Sequence, residues 1–199
     1  MFDIRYLQGR ELDSLARWAE DVAEISRHQP HLLPQKPEAL RGANEAGRVV
    51  IAIDAAANSQ VVGCIVLWEL DVTSHGASWF ELGTVVVVDG YRHRDNPTLF
   101  IADALYAQML GAFPGVNILA TTTNESALKS GERAGLKHPG FRVLPPDVQA
   151  GTCICPHSKT GVDDPRLCPL RDQSCFMRVS EETWQRLGHP PHIPFSHIL

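Results

Sequence analysis

A run of four consecutive valines at residues 85–88 constrains this chain more than any other feature. The run ends a longer β-rich segment at 79–89, and β-branched side chains favour the extended backbone of a strand. A strand with one face in water alternates apolar and polar residues, whereas a continuous apolar run suits a strand covered on both faces. The segment therefore predicts the central strand of a sheet with helices on both sides.

Hydrophobic periodicity and turn residues predict further elements around this strand. Pro37 begins a short helix, Asn58-Ser59 is a turn between two hairpin strands, and Gly135 ends the helix that Asn124 caps. The predicted strands are 2–7, 48–54, 61–70, 79–89, 116–121, 141–144 and 176–180, and the predicted helices are 11–25, 38–46, 98–110, 124–134 and 181–187. This order predicts an α+β fold with a central sheet of about seven strands and helices on both faces.

Composition excludes several classes of protein. A chain of 199 residues that is 44% hydrophobic and 21% charged can bury one sizeable core. A net charge of −5 and the lack of a long Lys/Arg block argue against nucleic acid as a partner. No signal peptide and no stretch of roughly 20 apolar residues is present, so we expect a cytoplasmic protein with no membrane association. A homodimer is expected only because such assemblies are common.

The cysteines are clustered. Of the five, Cys153, Cys155, Cys168 and Cys175 lie in one Pro/Gly-rich stretch with few apolar residues. Four thiolates, or three with His157, satisfy tetrahedral zinc, which would organise such a stretch. The spacing is not that of paired Cys-x-x-Cys knuckles, so disulfides and unliganded thiols stay open as alternatives. We predict structural zinc.

Several short motifs occur in the order found in a known superfamily. The valine run leads into Tyr91-Arg92, the segment from Asn124 to Ala127 opens a helix, and Gly135 follows that helix. These motifs resemble the core of the GNAT superfamily of acyl-CoA N-acyltransferases. The resemblance implies a mixed, mostly antiparallel sheet with helices on both faces. It divides the chain into a core at 1–148, a Cys-rich insertion at 149–175, and a final strand, short helix and tail at 176–199.

The resemblance also implies an activity: transfer of an acyl group, most simply from acetyl-CoA, to an amine on a small molecule or a protein. The backbone of Val86 and Val88 would pair with the pantetheine arm, as a peptide pairs with a free sheet edge. The helix that starts at Thr98 would direct its free N–H groups at the pyrophosphate. The expected cofactor-binding residues are Val86, Val88, Arg92, His93, Arg94, Thr98 and Asn124.

Catalytic groups follow from the same resemblance. Glu81, early in the central strand, is the candidate base that takes a proton from the amine, and His75 is its alternative. The family's glycine-rich phosphate loop is altered, because Asp95 adds negative charge and Pro97 removes an N–H donor. Gly131 stands where the family often has a tyrosine acid. These departures favour a second interpretation, a catalytically inactive binding module that uses a zinc-held loop for protein contacts.

Overall fold

The computed structural model describes residues 2–29, 32–74, 77–122, 124–138, 144–152 and 176–188. Short 3-10 turns, Gly9–Ser14 and Ala55–Ala57, accompany the main elements. The strands are β1 (Ile4–Gln8), β2 (Val49–Asp54), β3 (Gln60–Ser74), β4 (Ala77–Val87), β5 (Asn117–Thr122) and β6 (Phe176–Val179). The helices are α1 (Trp18–Arg27), α2 (Pro37–Glu45), α3 (Ile101–Ala112), α4 (Glu125–Arg133), α5 (Pro146–Gly151) and α6 (Glu181–Arg186).

The strands form one sheet in the order β1-β2-β3-β4-β5-β6. All neighbours are antiparallel except β4 and β5, which are parallel. The mixed α+β fold is confirmed, with six strands among the described residues rather than about seven. Of the predicted strand at 141–144, residues 141–143 lie outside the described residues, and Leu144 is in a bend.

Helices cover both faces of the sheet, as predicted. On one face, α3 packs Leu105 and Met109 against alternate residues of the strands, among them Leu82 of β4. On the other face, α1 and α2 cover β2 and β3. The same face of β4 and β5 is covered by α5, through Val148. Successive side chains of a strand point to opposite faces, so the neighbours of Leu82 point away from α3.

Several local predictions are confirmed. Asn58 and Ser59 have φ values of 55° and 56°, and this left-handed geometry closes the hairpin between β2 and β3. Pro37 is the first residue of α2. Asn124 caps α4 by accepting a hydrogen bond from the N–H of Ser126 in the first turn. Gly135 follows the helix at a φ of 101°, which a residue with a side chain rarely adopts.

Other boundaries differ from the predictions. The helix predicted at 11–25 is two pieces, because Leu15 is extended and ends the first 3-10 turn; α1 begins only at Trp18. Residues from Pro146 form α5, a helix that the sequence patterns did not predict. The valine run is not buried on both faces: Val86 is buried, whereas Val85 and its other neighbours are half-buried. They border an opening in the sheet.

Candidate functional site

The sheet opens between its two parallel strands. Pairing of β4 with β5 ends at Leu82 opposite Ala120, although β4 continues to Val87 and β5 to Thr122. A cleft of about 520 Å³ adjoins the unpaired end of β4. Its lining comes from Gln29, Val85, Val86, Val87, Tyr91, Arg92, His93, Arg94, Leu99, Phe100, Ile101, Ala102, Asp103, Asn124, Ser126, Ala127, Lys129, Ser130 and Arg133.

A β-bulge controls which backbone groups of β4 face this opening. Val86 pairs with Cys64 and Gly83 with Val66, so two residues of β4 oppose one of β3 between these pairs. Thr84, inside the bulge, has a φ of 53°. A bulge adds one residue to β4, so the alternation of peptide groups toward and away from β3 is offset by one residue after the bulge.

The backbone of Val88 is turned away from the opening. Its N–H donates to the carbonyl of Val62 on β3 at 2.9 Å. Because N–H and C=O of one residue point to the same side of a strand and alternate along it, Val86 is turned toward β3 as well. The expectation that Val86 and Val88 present their backbone to a ligand is therefore wrong by one residue.

The free edge of β4 belongs to Val85 and Val87. The carbonyl of Val87 points away from β3 and accepts a hydrogen bond from Nε of Arg92 at 2.9 Å. By the same alternation, the N–H and C=O of Val85 share this side. Because Arg92 occupies the carbonyl of Val87, the groups that remain along this wall are the N–H of Val87 and the N–H and C=O of Val85. Such a row of main-chain groups is the chemistry that an extended, amide-containing ligand matches.

The first turn of α3 forms one end of the cleft. The helix begins at Ile101 and not at the predicted Thr98. Thr98 lies in a turn, where its hydroxyl donates to the side-chain oxygen of Asn96 at 2.8 Å. Phe100, the cap residue, provides no side-chain acceptor for the helix. The N–H groups of the first turn are therefore uncapped by a side chain, and such groups favour anions.

Arg92 is built into the cleft wall. Besides the carbonyl of Val87, it donates to the side-chain oxygen of Gln29 at 2.8 Å and forms an ion pair with Asp89 at 2.8 Å. Arg94 is different, because its side chain is 68% exposed and lies 3.4 Å from the same Asp89 carboxylate. Of these two arginines, Arg94 has the greater freedom to reorient toward an anion.

The loop between β4 and α3 holds one of its own carboxylates, that of Asp95. Asp95 accepts a hydrogen bond from the N–H of Gly90 at 3.1 Å and lies 3.5 Å from Nε of Arg94. An anionic ligand at this end of the cleft must therefore compete with Asp95 for donors and for positive charge.

The remaining walls carry the other expected residues. His93 stacks on Phe100, which is 50% exposed, with ring centroids 4.3 Å apart. Asn124 lines the wall formed by α4, but its side-chain oxygen already caps the helix. The residues missed by the sequence include Lys129, which is exposed on α4 and lines the cleft, and Arg133, which faces it beside Asp103. Their positions depend on how α4 packs against α3, which no local pattern predicts.

The opening between β4 and β5 is called the split below. Glu81 lies at its base, one residue before the β4–β5 pairing ends. Its neighbour Leu82 packs under α3, so the carboxyl points to the opposite face. The side chain is half-buried, and the hydroxyl of Thr121 on β5 donates a hydrogen bond to it. Burial raises the pKa of Glu81 to about 7, against the effect of the Thr121 hydrogen bond, which lowers it. A carboxyl with this pKa exchanges protons near neutrality.

Gly131 leaves no room for a tyrosine. A Cβ at this buried position would lie 2.9 Å from Cδ1 of Leu136 and 3.7 Å from the ring of Tyr106. Contacts under 3.0 Å require the neighbour to shift. A side chain at this position would therefore displace the Leu136 side chain from its place against α4.

The remaining candidate residues are Cys64, which the structure describes, and His75 and the clustered cysteines, which it does not. Cys64 is fully buried and burial raises the pKa of its thiol, so it packs as a small hydrophobe within β3. His75 lies outside the described residues, and so do Cys153, Cys155, Cys168, Cys175 and His157. Among the residues that the structure describes, no group of His, Cys, Asp and Glu is arranged to hold a metal ion.

Three solved structures have an architecture similar to that of this chain. A chain of the NatC complex bound to a Gag peptide and CoA is 18% identical, with 73% of this chain and 92% of that chain covered and a TM-score of 0.55. The GNAT family N-acetyltransferase YhbS from Escherichia coli, in complex with CoA, is 16% identical, with 94% and 86% covered and a TM-score of 0.55. NAA60 from Arabidopsis thaliana, with a bisubstrate analogue, is 16% identical, with 68% and 84% covered and a TM-score of 0.51.

The chain therefore has the GNAT superfamily fold. No model of a protein family matches the sequence, and no curated protein does. Across the described ranges, no helix has the length and apolar character needed to cross a bilayer.

Proposed function

We propose that this protein transfers an acyl group, most simply acetyl, from acyl-CoA to an amine. The observation that carries the proposal is the split between β4 and β5, where a free backbone edge and the first turn of α3 lie on one side and a half-buried carboxyl lies at the base. This arrangement provides an edge for an amide-containing donor, an anion site for its phosphates and a base for the acceptor.

The donor would bind along the α3 side of the split. The peptide groups of Val85 and the N–H of Val87, and not the groups of Val86 and Val88, would pair with the pantetheine amides. The uncapped N–H groups at the start of α3 would receive the pyrophosphate, together with Arg94 after it leaves Asp89. His93 and Asn124 line the same cleft, and we place them as contacts to the donor.

The acceptor would approach from the other face, where Glu81 points. The amine nitrogen attacks the thioester carbonyl carbon, a C–N bond forms, and the C–S bond breaks with the electron pair on the CoA sulfur. Glu81 takes the proton that the nitrogen loses. The N–H groups on the free edge of β4 would stabilise the negative charge on the carbonyl oxygen.

The first test of this proposal is calorimetric titration with CoA and with acetyl-CoA. We expect dissociation constants below about 100 μM, which corresponds to roughly −5.5 kcal/mol. Arg94→Gln should weaken binding about five- to tenfold through loss of a charged contact. Arg10→Gln removes the same charge at an exposed position before α1 and should change nothing. Absence of binding by the wild-type protein would overturn the proposal and favour the inactive binding module.

The second test concerns Glu81. With an amine acceptor in hand, kcat/KM should rise with pH up to about 7, because the base must be ionised and its pKa is about 7. Glu81→Gln should lower kcat by about 10²- to 10⁴-fold and remove this acidic limb. A wild-type pH profile that persists in Glu81→Gln would assign the base to another group.

We also propose that Cys153, Cys155, Cys168 and Cys175 bind a structural zinc ion, in a segment that shapes the acceptor side. The segment connects α5 with β6, and β6 pairs antiparallel with β5 so that Phe176 lies opposite Thr122. The chain therefore returns to the sheet one residue from Thr121, the hydrogen-bond partner of Glu81. The identity of the acceptor, the homodimer and the division into segments stay predictions from the sequence.

A further inference from the structure

The indole of Trp68 contacts the bulge in β4. Trp68 lies on β3 directly opposite Glu81, and its ring packs against the core beneath α1 and α2. Its Nε1–H donates to the hydroxyl of Thr84 at 3.1 Å. Trp68 therefore lies opposite Glu81, bonds to the bulge and packs against the core on the same face of the sheet.

Thr84 needs such a contact. Its φ of 53° is in the left-handed region, which a β-branched residue enters only when the surroundings impose it. The residue is 5% exposed, so water contributes little to its hydroxyl. The hydrogen bond from Trp68 satisfies that buried group only while the bulge keeps this geometry.

Gly83 allows the indole to reach the bulge. A Cβ at this position would lie 3.0 Å from Cδ1 and 3.3 Å from Nε1 of Trp68. Any larger residue would push the ring away from β4 and lengthen the bond to Thr84. The glycine, the indole and the threonine therefore act as one unit.

The bulge decides which peptide groups are free. From the pair Gly83–Val66, a ladder without a bulge would place Val87 opposite Val62, where Val88 now donates its hydrogen bond. Such a one-residue slip would turn the peptide groups of Val87 toward β3 and those of Val88 toward the split.

We propose that Trp68 is a positioning residue whose indole holds the Thr84 bulge, and that the bulge presents the peptide groups of Val85 and Val87 to a ligand in the split. The part of this proposal that concerns the acyl donor rests on the proposed function. The part that concerns the register of β4 does not.

Amide hydrogen exchange of the free protein tests the register. In the wild-type protein, the amides of Val86 and Val88 should be protected, and those of Val85 and Val87 should exchange faster. In Trp68→Phe, protection should shift from the first pair to the second, because a smaller aromatic ring remains and the N–H that bonds Thr84 is lost. An unchanged pattern in a folded Trp68→Phe protein would overturn the proposal, whether or not the wild-type protein binds CoA.

Matched variants extend the test to binding. Trp68→Phe and Thr84→Val should each weaken CoA binding about five- to tenfold, as expected for one lost hydrogen bond, and the double variant should be no weaker than either single one. Thr84→Ser keeps the hydroxyl and should bind CoA within about twofold of wild type. Gly83→Ala should reproduce Trp68→Phe without altering either partner. Additive losses, or wild-type affinity in Trp68→Phe, would refute the coupling.

Discussion

The raised pKa of Glu81 has a consequence for stability that requires no substrate. The carboxyl has a pKa of about 7 in the folded chain, against an ordinary value of 4.5. Between these values the folded state holds a proton that the unfolded state has released, so the free energy of unfolding falls as pH rises. The stabilisation is fully present below about pH 4.5 and is lost by the time pH passes 7. Replacing Glu81 with Gln removes this dependence.

The magnitude follows from the same two values. A rise in pKa from 4.5 to about 7 corresponds to about 3 kcal/mol, and most of it is lost between about pH 5 and pH 8. Because Glu81 is half-buried and partly screened by solvent, we expect about 2 kcal/mol over this interval. For a chain of this size, that difference changes the melting temperature by about 4–8 °C.

Urea unfolding of wild type and Glu81→Gln at about pH 5 and pH 8 measures this effect. The advantage of Glu81→Gln over wild type should grow by about 2 kcal/mol between the two conditions. Glu45→Gln, at an exposed position at the end of α2, should show no such growth and controls for loss of charge. Equal pH dependence of wild type and Glu81→Gln would refute the assignment of a neutral-range pKa to this carboxyl.

Two further predictions concern packing and metal. Gly131→Ala should be about 1–3 kcal/mol less stable than Gly111→Ala, because its Cβ would meet Cδ1 of Leu136 at 2.9 Å, whereas no atom lies within 4 Å of a Cβ at Gly111. Both glycines are in helices, so each variant also gains up to about 1 kcal/mol of helix propensity. Thermal unfolding distinguishes the variants, and equal effects would contradict the packing argument. Elemental analysis should find about one zinc per chain, lost in Cys168→Ser and kept in Cys64→Ala; zinc-free wild-type protein would remove the metal proposal.

The fold could be predicted from the sequence where local patterns determine structure. The hairpin turn at Asn58, the helix that begins at Pro37 and the cap at Asn124 each depend on residues within a few positions of one another. The central position of the strand that carries the valines was also predictable, because β-branched runs are characteristic of central strands.

The parts that could not be predicted depend on contacts between distant residues. The bulge at Thr84 is contacted by Trp68 on the neighbouring strand, and a shift of one residue changes which backbone groups face the split. The delayed start of α3 depends on Asn96, whose hydrogen bonds form a turn where a helix start was expected. Thr121 meets Glu81 only because their strands are neighbours in space.

The short parallel pairing of β4 with β5 is the only strand pairing that the structure describes between two parts of the sheet. Beyond the pair Leu82–Ala120, β1 to β4 form one antiparallel unit, and β5 with β6 forms another. A ligand with an extended amide backbone, bound along Val85 and Val87, would act as a temporary strand of the sheet and stiffen the seam between the two units. On the proposed function, a bound acyl donor would therefore join the two units just beyond Glu81 and Thr121, whose hydrogen bond already connects the strands at the base of the split.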